Sequence, residues 1–317
     1  VSPQLLRDAY LGRLECLKEW TLMKVIDVHL EDLKGKIGKT ISANTVWSYE
    51  LCGRLIGLFI KSRYKRSDMS IKEVNIDFIS GFHSWLLRER KMKQNTATNH
   101  LKFLQKVMNI AVMNGYIPYS VLGMYKVVRE PVNMEYLNEV ELQKIIDFES
   151  PLEHLVRTRD MFLFGCFTGL SYIDIKTLSR EHFETDDEGR RWIKKCREKT
   201  GVLSRIPVLP IAQSILDKYK GGKVLLPLQD NADVNRNLKD IAVLCGIDKR
   251  ICFHASRHTF ATTVILANNI PLEVVSQMMG HTNTRMTCHY AKVVDRSISR
   301  QMDSLISRYE TASCNLG

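Results

Sequence analysis

The sequence predicts a mainly α-helical protein with one small antiparallel β-sheet, divided into two domains near residue 130. Apolar residues recur at helical spacing along most of the 317 residues, and one stretch of short β-type runs interrupts them. Positive charge is concentrated at one end: residues 1–130 hold 21 Lys and Arg against 12 Asp and Glu, whereas residues 131–317 hold 25 against 23. We therefore expect a basic helical domain over 1–130 and an α+β domain over 131–317.

Four helices are expected in the basic domain, because apolar residues recur there every three or four positions. Ser42 or Asn44 is a candidate N-cap for the second of them. Residues 117–134 lose the periodicity and contain two prolines, which predicts a linker. The helices are expected within residues 3–32 and over 42–66, 75–91 and 95–116.

Basic side chains cluster at the ends of these helices. The chain has a net charge of +11, and most of the excess of positive charge lies in this domain. Such an excess favours a polyanion, DNA or RNA, as the partner. The alternative is a solvated basic surface. Lysine and arginine suit phosphate contacts, and threonine can reach phosphates or base edges. The candidate DNA contacts are Arg63, Lys65, Arg66, Arg88, Lys91, Lys93, Lys102, Thr45 and Thr96.

The second domain is expected to begin with a helix over "LNEVELQKIIDF", capped by Asn138. Residues 182–210 interrupt the helical pattern. They contain turn signals at Asp187-Glu188-Gly189 and at Thr200-Gly201, with short β-type runs on either side. This stretch predicts an antiparallel sheet of about three strands.

Several classes of site are absent from the sequence. It has no G-x-S-x-G elbow, no P-loop and no dinucleotide fingerprint, which argues against a serine hydrolase and against ATP or NAD. The eight cysteines are scattered without a C-x-x-C pair, so we expect reduced thiols in a cytoplasm. No signal peptide or membrane-length apolar run is present. We predict no cofactor, no metal and no membrane partner.

The stretch "CFHASRHTFA", residues 252–261, carries the first chemical signal. His254 and His258 have the i, i+4 spacing of zinc ligands, but no glutamate lies between them and Arg257 would repel a dication. His254 and Arg257 share a helix face at i, i+3, and an imidazole beside a planar guanidinium suits an anion clamp. His258 is interpreted as a structural histidine that points elsewhere.

Further motifs follow and precede this pair in a fixed order. His281 follows a glycine, Tyr290 comes nine residues later, and Lys199 lies at the tip of the predicted hairpin in "REKTG". Upstream, "FTGLSYIDIKTL" contains a T-G-L box. Together, H-x-x-R-H, G-H, x8-Y, the hairpin lysine and the T-G-L box resemble the catalytic domain of the tyrosine recombinases, the phage integrase family, over residues 135–300.

The first domain, with "NTATNHLKFLQKVMNIAVMNGYI", resembles the SAM-like core-site-binding domain of the same family. The sequences of both domains are most similar to those of integrases of mobile and conjugative elements in the Bacteroidetes. Such integrases usually carry a further N-terminal arm-site domain. By this resemblance we expect that domain to be missing here, and because the chain begins with Val1 rather than Met we expect a fragment or a processed product.

The resemblance implies conservative site-specific DNA recombination through a 3′-phosphotyrosyl intermediate and a Holliday junction, without metal or ATP. Tyr290 would attack the scissile phosphodiester, and the covalent link would store the bond energy. Arg257 would neutralise the transition state, and His281 would donate to a phosphate oxygen. Lys199 would protonate the leaving 5′-oxygen, and His254 would assist proton transfer around the nucleophile.

One position departs from the family pattern, which has an arginine after T-G-L where this chain has Ser171. Asp174, three positions later, is kept and is expected to orient the histidine–arginine cluster. Loss of a guanidinium costs transition-state stabilisation, so either another cation replaces it or the chain is an impaired variant. Arg159 is the first candidate for the substitute, followed by Arg157 and Arg205.

The implied partners are double-stranded DNA core or attachment sites and accessory DNA-bending proteins. The amphipathic stretch 295–310 predicts a C-terminal helix. In the resembling family such a helix docks on a neighbouring protomer of a synaptic tetramer; the alternative is packing on its own domain. Two rival functions stay open: DNA relaxation by a type IB topoisomerase, and DNA binding by a catalytically impaired relative marked by Ser171.

Overall fold

The computed structural model describes residues 20–132, 134–222, 224–283, 287–291 and 306. The chain divides into two compact units, Val1–Val132 and Asn133–Gly317, and each encloses its own apolar core. The predicted fold class is confirmed: the described residues are mainly helical, with one three-stranded antiparallel sheet. None of the described helices is both long and apolar enough to cross a membrane. Of the C-terminal stretch 295–310, only Ile306 lies within the described residues.

The first unit contains the four expected helices. Ser42 is the N-cap of the second helix, because its hydroxyl accepts from the backbone N–H of Thr45 at 3.3 Å, and Asn75 caps the third in the same way. The first helix packs on the second and fourth, and the second and third also pack on the fourth. The helices are α1 (Leu22–Lys34), α2 (Ala43–Tyr64), α3 (Ile76–Arg88) and α4 (Gln94–Met113).

An aromatic cluster fills the core between α2 and α3. The ring of Phe59 lies 5.2 Å from that of Phe78, 5.4 Å from Phe82 and 5.7 Å from Trp85, in edge-on or tilted geometry. All four side chains are buried. Because this core is apolar, the basic side chains of the unit are left at its surface.

The predicted linker is hydrogen-bonded to the start of α4. Asn95 accepts from the backbone N–H of Glu130 at 3.1 Å, and its amide donates to the carbonyl of Glu130 at 2.9 Å. Arg129 donates to the side-chain oxygen of Asn99 at 2.7 Å. A short 3-10 turn, Val121–Met124, lies within the same segment. The linker is therefore held along the first unit up to residue 130.

The second unit is built around one buried helix, α6, which packs against α5, α8, α9 and α10. Asn138 caps α5 as predicted, in a capping box with Glu141. The elements are α5 (Glu139–Ile146), α6 (Glu153–Thr168), α7 (Tyr172–Lys176), β1 (Phe183–Thr185), β2 (Arg191–Cys196), β3 (Leu203–Pro207), α8 (Pro210–Lys218), α9 (Asn231–Leu244), α10 (Phe253–Thr259) with a π-helical continuation (Phe260–Ile265), α11 (Leu272–Met278) and α12 (Cys288–Ala291).

The sheet has the order β1-β2-β3, with both pairs antiparallel. Ile193 of β2 lies opposite Ile206 of β3, and both are buried, so one face of the sheet packs on the core. β3 also contacts α11. The turn between β2 and β3 contains Lys199, as the sequence predicts.

Candidate active site

Arg257 lies on α10 and is held by two backbone carbonyls. Its Nη1 donates to the carbonyl oxygen of Gly169, at the C-terminal end of α6, and its Nη2 donates to that of Met279, just after α11. The side chain is 3% exposed. Burial, and then the positive charge of Arg197, lower the pKa of Arg257 to about 10, so the guanidinium stays charged at neutral pH.

Three histidines surround Tyr290, which is 6% exposed. The Nδ1 atom of His258 lies 3.0 Å from the Tyr290 Oη, and the His281 ring lies parallel to the tyrosine ring at 6.5 Å. The His254 ring meets that of His258 edge-on at 4.6 Å. Burial lowers the pKa of His258 and of His281 to about 4, with smaller effects of His254 and Arg257 on the first and of Arg257 and Arg197 on the second, so both imidazoles are neutral at pH 7.

The prediction that His258 points elsewhere is wrong. His254 and His258 are four residues apart on α10, so their side chains project from the same helix face. The motif spacing pairs His254 with Arg257 and leaves His258 as support. In the structure it is His258 that makes the hydrogen bond to the tyrosine hydroxyl.

Asp174 holds the β2–β3 hairpin to α7. Its Oδ1 accepts from the backbone N–H of Glu198 at 2.9 Å, and its Oδ2 accepts from the hydroxyl of Ser171 at 2.6 Å. The same Oδ2 lies 3.8 Å from the Nε of Arg197. None of the hydrogen bonds described for Asp174 reaches His254 or Arg257; they position the hairpin, while the charge of Asp174 acts on Arg257 and opposes the lowering of its pKa. Its expected role in orienting the histidine–arginine pair stays a prediction.

Arg197 is the first residue of "REKTG", where the sequence assigns a role only to Lys199, and it extends from the end of β2 into this cluster. It is 9% exposed, and its Nη1 donates to the carbonyl of Gly280 at 3.5 Å. Its Nε is buried without a hydrogen-bond partner among the described atoms, and so is the hydroxyl of Ser204 on β3. Burial lowers the pKa of His254, and the charges of Arg257 and Arg197 lower it further. Arg197 therefore supplies a second guanidinium beside Arg257.

Gly280 makes room for this arginine. Its φ of +57° lies in the left-handed region that favours glycine, and a Cβ at this position would lie 2.8 Å from the Cδ of Arg197 and 2.5 Å from the Oγ of Ser204. The G-H motif therefore needs a glycine in this chain, because a larger residue would clash with Arg197 and Ser204.

Arg159, the first candidate for the missing arginine, lies elsewhere. Its guanidinium donates to Asp160 at 2.7 Å and to the backbone carbonyl of Phe148, and none of its described contacts is with the cluster. It neutralises the buried carboxylate of Asp160 instead. Arg157 pairs with a glutamate one turn earlier on α6, and Arg205 is exposed on β3.

Lys199 is exposed at the tip of the hairpin, two residues after Arg197. Its charge adds to the lowering of the pKa of His254 that burial, Arg257 and Arg197 produce, which places Lys199 within electrostatic reach of the cluster. In the part of the chain that the structure describes, no group of three His, Cys, Asp or Glu side chains is arranged to hold a metal ion. The charged groups described as acting on Tyr290 are the guanidiniums of Arg257 and Arg197, with the carboxylate of Asp174 beside Arg197.

The candidate DNA contacts of the first unit lie at its surface. Thr45 is half-buried, with its hydroxyl 2.9 Å from that of Ser42, and the others are exposed. Arg63 and Arg88 line one polar cleft of about 350 Å³, because Gly81 leaves the space that Arg63 occupies. Arg66 forms an ion pair with Glu73. The exposed residues are Arg63, Lys65, Arg66, Arg88, Lys91, Lys93, Lys102 and Thr96.

A helical unit followed by an α+β unit with a buried arginine–histidine–tyrosine cluster defines a tyrosine recombinase. Comparison with known families supports this class. The model of the phage integrase family matches residues 135–296, and that of the phage integrase SAM-like domain matches residues 21–127. The chain belongs to the phage integrase family.

Curated relatives and solved structures agree with this family. The tyrosine recombinase XerD of Chlorobaculum tepidum is 25% identical over an alignment of 250 residues, with a coverage of 72% of this chain and 72% of its own. XerD of Haemophilus influenzae is 25% identical over an alignment of 298 residues, with a coverage of 88% of this chain and 96% of its own.

Among solved structures, a lambda integrase dimer bound to a COC′ core site has a TM-score of 0.70 at 17% identity, covering 91% of this chain and 82% of its own. The Tn1549 transposon integrase in complex with a circular intermediate DNA has a TM-score of 0.63 at 16% identity, covering 85% and 94%. These similarities establish the fold of both units.

Proposed function

We propose that this chain is a site-specific recombinase that cuts and rejoins DNA through a covalent bond to Tyr290. The observation that carries the proposal is the convergence of two guanidiniums and three histidines, from separate parts of the second unit, around one buried phenol. In this proposal residues 1–130 bind the core site and residues 131–317 carry the chemistry.

The reaction is a displacement at phosphorus. Tyr290 Oη bonds to phosphorus as the bond to the 5′-oxygen breaks, which leaves a 3′-phosphotyrosyl link and a free 5′-hydroxyl. Lys199, on the exposed hairpin, gives its proton to the leaving oxygen. Because the link preserves the energy of the broken bond, a 5′-hydroxyl from either duplex can reverse the step without ATP.

Arg257 and Arg197 stabilise the negative charge that develops on the non-bridging oxygens. Two features support Arg197 as the substitute for the arginine that Ser171 replaces. Its charge acts on His254 and His281, as that of Arg257 does, and its buried Nε makes no hydrogen bond among the described atoms, with Asp174 3.8 Å away. His281 donates to a phosphate oxygen, and His254 assists proton transfer. Side-chain cations thus fill the electrostatic role, so the proposal needs no cofactor.

The partner of the first unit is proposed to be double-stranded DNA at a core or attachment site. Its exposed basic side chains supply phosphate contacts. A lambda integrase neighbour is described as a tetramer bound to a Holliday junction, and another neighbour is a transposon integrase. By analogy, this chain recombines a mobile element in the cytoplasm as a tetramer on DNA, linked through residues 295–310 and helped by DNA-bending proteins.

The test uses the full chain and a core-site duplex selected from random DNA by binding. A nick close to the scissile phosphate lets the short 5′-hydroxyl fragment diffuse away, which traps the covalent adduct. We expect the wild-type chain to form an adduct that denaturing gels detect, and Tyr290→Phe to bind the same duplex without forming one. No adduct from the wild-type chain would leave a DNA-binding relative, and relaxation of plasmids without a core site would favour a topoisomerase.

A further inference from the structure

The proposed reaction requires an acceptor for the phenolic proton of Tyr290. Lys199 cannot fill this role in cleavage, because it gives a proton to the leaving oxygen in the same step. The acceptor must lie within hydrogen-bond distance of the Tyr290 Oη. In the described parts of the chain, the hydrogen bond recorded for this hydroxyl is to the Nδ1 of His258, at 3.0 Å.

The other two histidines are less suited to this task. His281 uses its Nδ1 in a hydrogen bond to the Thr287 hydroxyl at 2.8 Å, and its ring stacks beside the tyrosine ring at 6.5 Å. The His254 ring meets the ring of His258 rather than that of Tyr290. Position therefore selects His258.

The surroundings of His258 keep its ring neutral, with a lone pair that can accept. It is 8% exposed and faces three groups that carry or share protons: His254 and Arg257 from its own helix, and Tyr290 from α12. Burial, His254 and Arg257 lower its pKa to about 4, so at neutral pH the ring holds one proton and one free lone pair. A phosphate anion bound beside Arg257 would offset the charge that His258 gains on accepting a proton.

We propose that His258 is the general base of the cleavage step: its Nδ1 takes the Tyr290 proton as the Oη–phosphorus bond forms. The assignment rests on the proposed function. The bond from phosphorus to the 5′-oxygen breaks in the same step, and Lys199 supplies the proton for that oxygen. The Tyr290 proton moves to His258 within the cluster while the Lys199 proton leaves on the 5′-oxygen, so His258 gains the positive charge that Lys199 loses. In rejoining, the imidazolium of His258 returns the proton to Tyr290, and Lys199 takes the proton of the attacking 5′-hydroxyl.

A second histidine–tyrosine pair in the chain provides a matched control. In the first unit, the Nδ1 of His83 lies 3.0 Å from the hydroxyl of Tyr125, which is the same pair of atoms at the same distance. Neither His83 nor Tyr125 has a proposed role in the reaction. His83→Asn and His258→Asn therefore remove the same chemistry at two places, and both keep an amide oxygen that can accept the tyrosine hydrogen bond.

The experiment measures the rate of adduct formation on the nicked core-site duplex, and on a copy in which sulfur replaces the bridging 5′-oxygen. A thiolate leaves without protonation, so the sulfur substrate needs a base but no acid. We expect His258→Asn to slow adduct formation about 10²-fold or more on both substrates, since a general base contributes roughly 10²–10⁴. Lys199→Ala should be slow on the oxygen substrate only, and His83→Asn should match the wild-type chain on both.

A third variant tests the base directly. His258→Ala removes the imidazole, and imidazole added to the buffer should restore part of the cleavage rate without changing DNA affinity. A His258→Asn rate equal to that of the wild type would show that the ring only positions Tyr290, and would overturn this assignment alone. If the wild-type chain forms no Tyr290 adduct, the proposed function fails and this assignment fails with it.

Discussion

The two units place their positive charges in opposite ways. The first keeps its arginines and lysines at the surface, around a core of aromatic and aliphatic side chains. The second buries Arg197 and Arg257 beside a buried tyrosine. Surface charge is screened by water and salt and contributes to binding in small, additive parts. Buried charge is costly to desolvate, and its electrostatic effect on a bound phosphate is correspondingly larger.

Within the second unit, buried charged side chains differ in how completely they are hydrogen-bonded. This difference distinguishes the side chains that stabilise the fold from those proposed to act in the reaction. Asp160 accepts from Arg159, Lys218 and Tyr219, so its charge is fully compensated. Lys195 likewise donates to a backbone carbonyl and to a glutamate on the hairpin. Arg197 differs, since its Nε makes no hydrogen bond among the described atoms and lies 3.8 Å from its ionic partner, the Oδ2 of Asp174. The charge of Arg197 is thus less tightly paired than those of Asp160 and Lys195, and under the proposed function its guanidinium acts on a phosphate oxygen of the DNA.

Replacement of Arg197 should give the largest of the expected effects, and it should distinguish a buried charge from a surface charge. Arg197→Ala should lower the cleavage rate about 10²–10³-fold, or roughly 3–4 kcal/mol, by analogy with removal of an oxyanion-hole donor, while DNA affinity falls only a few-fold. The measurement is adduct formation at saturating duplex. Arg197→Lys should recover part of the rate, because it restores the charge without the planar fork.

Arg190→Ala is the matched control, since Arg190 lies on the other hairpin of the same sheet and pairs there with Glu188 at the surface. It should keep the wild-type cleavage rate. Loss of cleavage in Arg159→Ala, but not in Arg197→Ala, would return the role of the missing arginine to Arg159.

Local patterns predict the elements but not all of the contacts between them. Helical spacing and caps locate α2 to α5, and the order of motifs brings His254, Arg257, His281 and Tyr290 together as one site. These features are predictable because each depends on residues close in sequence. The resemblance to the family adds the order in which these catalytic groups follow one another along the chain.

Arg197 escapes prediction because its position depends on how the hairpin packs. Alternation along β2 does place Arg197 on the same side as the buried Ile193, which is the one local signal for it. That signal cannot show that the hairpin extends toward α10, which depends on the bond from Glu198 to Asp174 and on the space that Gly280 leaves. Arg159 is favoured by its nearness in sequence to Ser171, which says nothing about which way its side chain points.

Surface charges of the first unit should act on affinity rather than on chemistry. Arg63→Ala, Arg88→Ala and Lys102→Ala should each weaken binding a few-fold. Each should also lower the slope of log affinity against log salt by about 0.9 for every phosphate that the variant no longer neutralises. Cleavage at saturating DNA should not change. Titrations over a range of salt concentrations measure the slope.

Lys36→Ala is the control for these three variants, because Lys36 is an exposed lysine of the same unit that pairs with Asp32 at 2.6 Å. It should leave the slope as it is. A slope that does not change for Arg63, Arg88 or Lys102 would remove that residue from the DNA-binding surface.

Substitutions of Lys65 should give the smallest of the expected effects. At this position one side chain is expected to influence both DNA binding and the stability of the first unit. It follows α2 with a φ of 56°, in the left-handed region where helix ends favour glycine. Lys65→Gly should therefore stabilise the first unit by about 1 kcal/mol, and the lost charge should weaken DNA binding a few-fold. Lys65→Ala removes the same charge but keeps the strain, so it should weaken binding equally without stabilising the fold. Thermal unfolding and binding titrations of the two variants decide the point: equal melting temperatures would show that the backbone at residue 65 is unstrained, and unchanged affinity in both would show that its ammonium does not contact DNA.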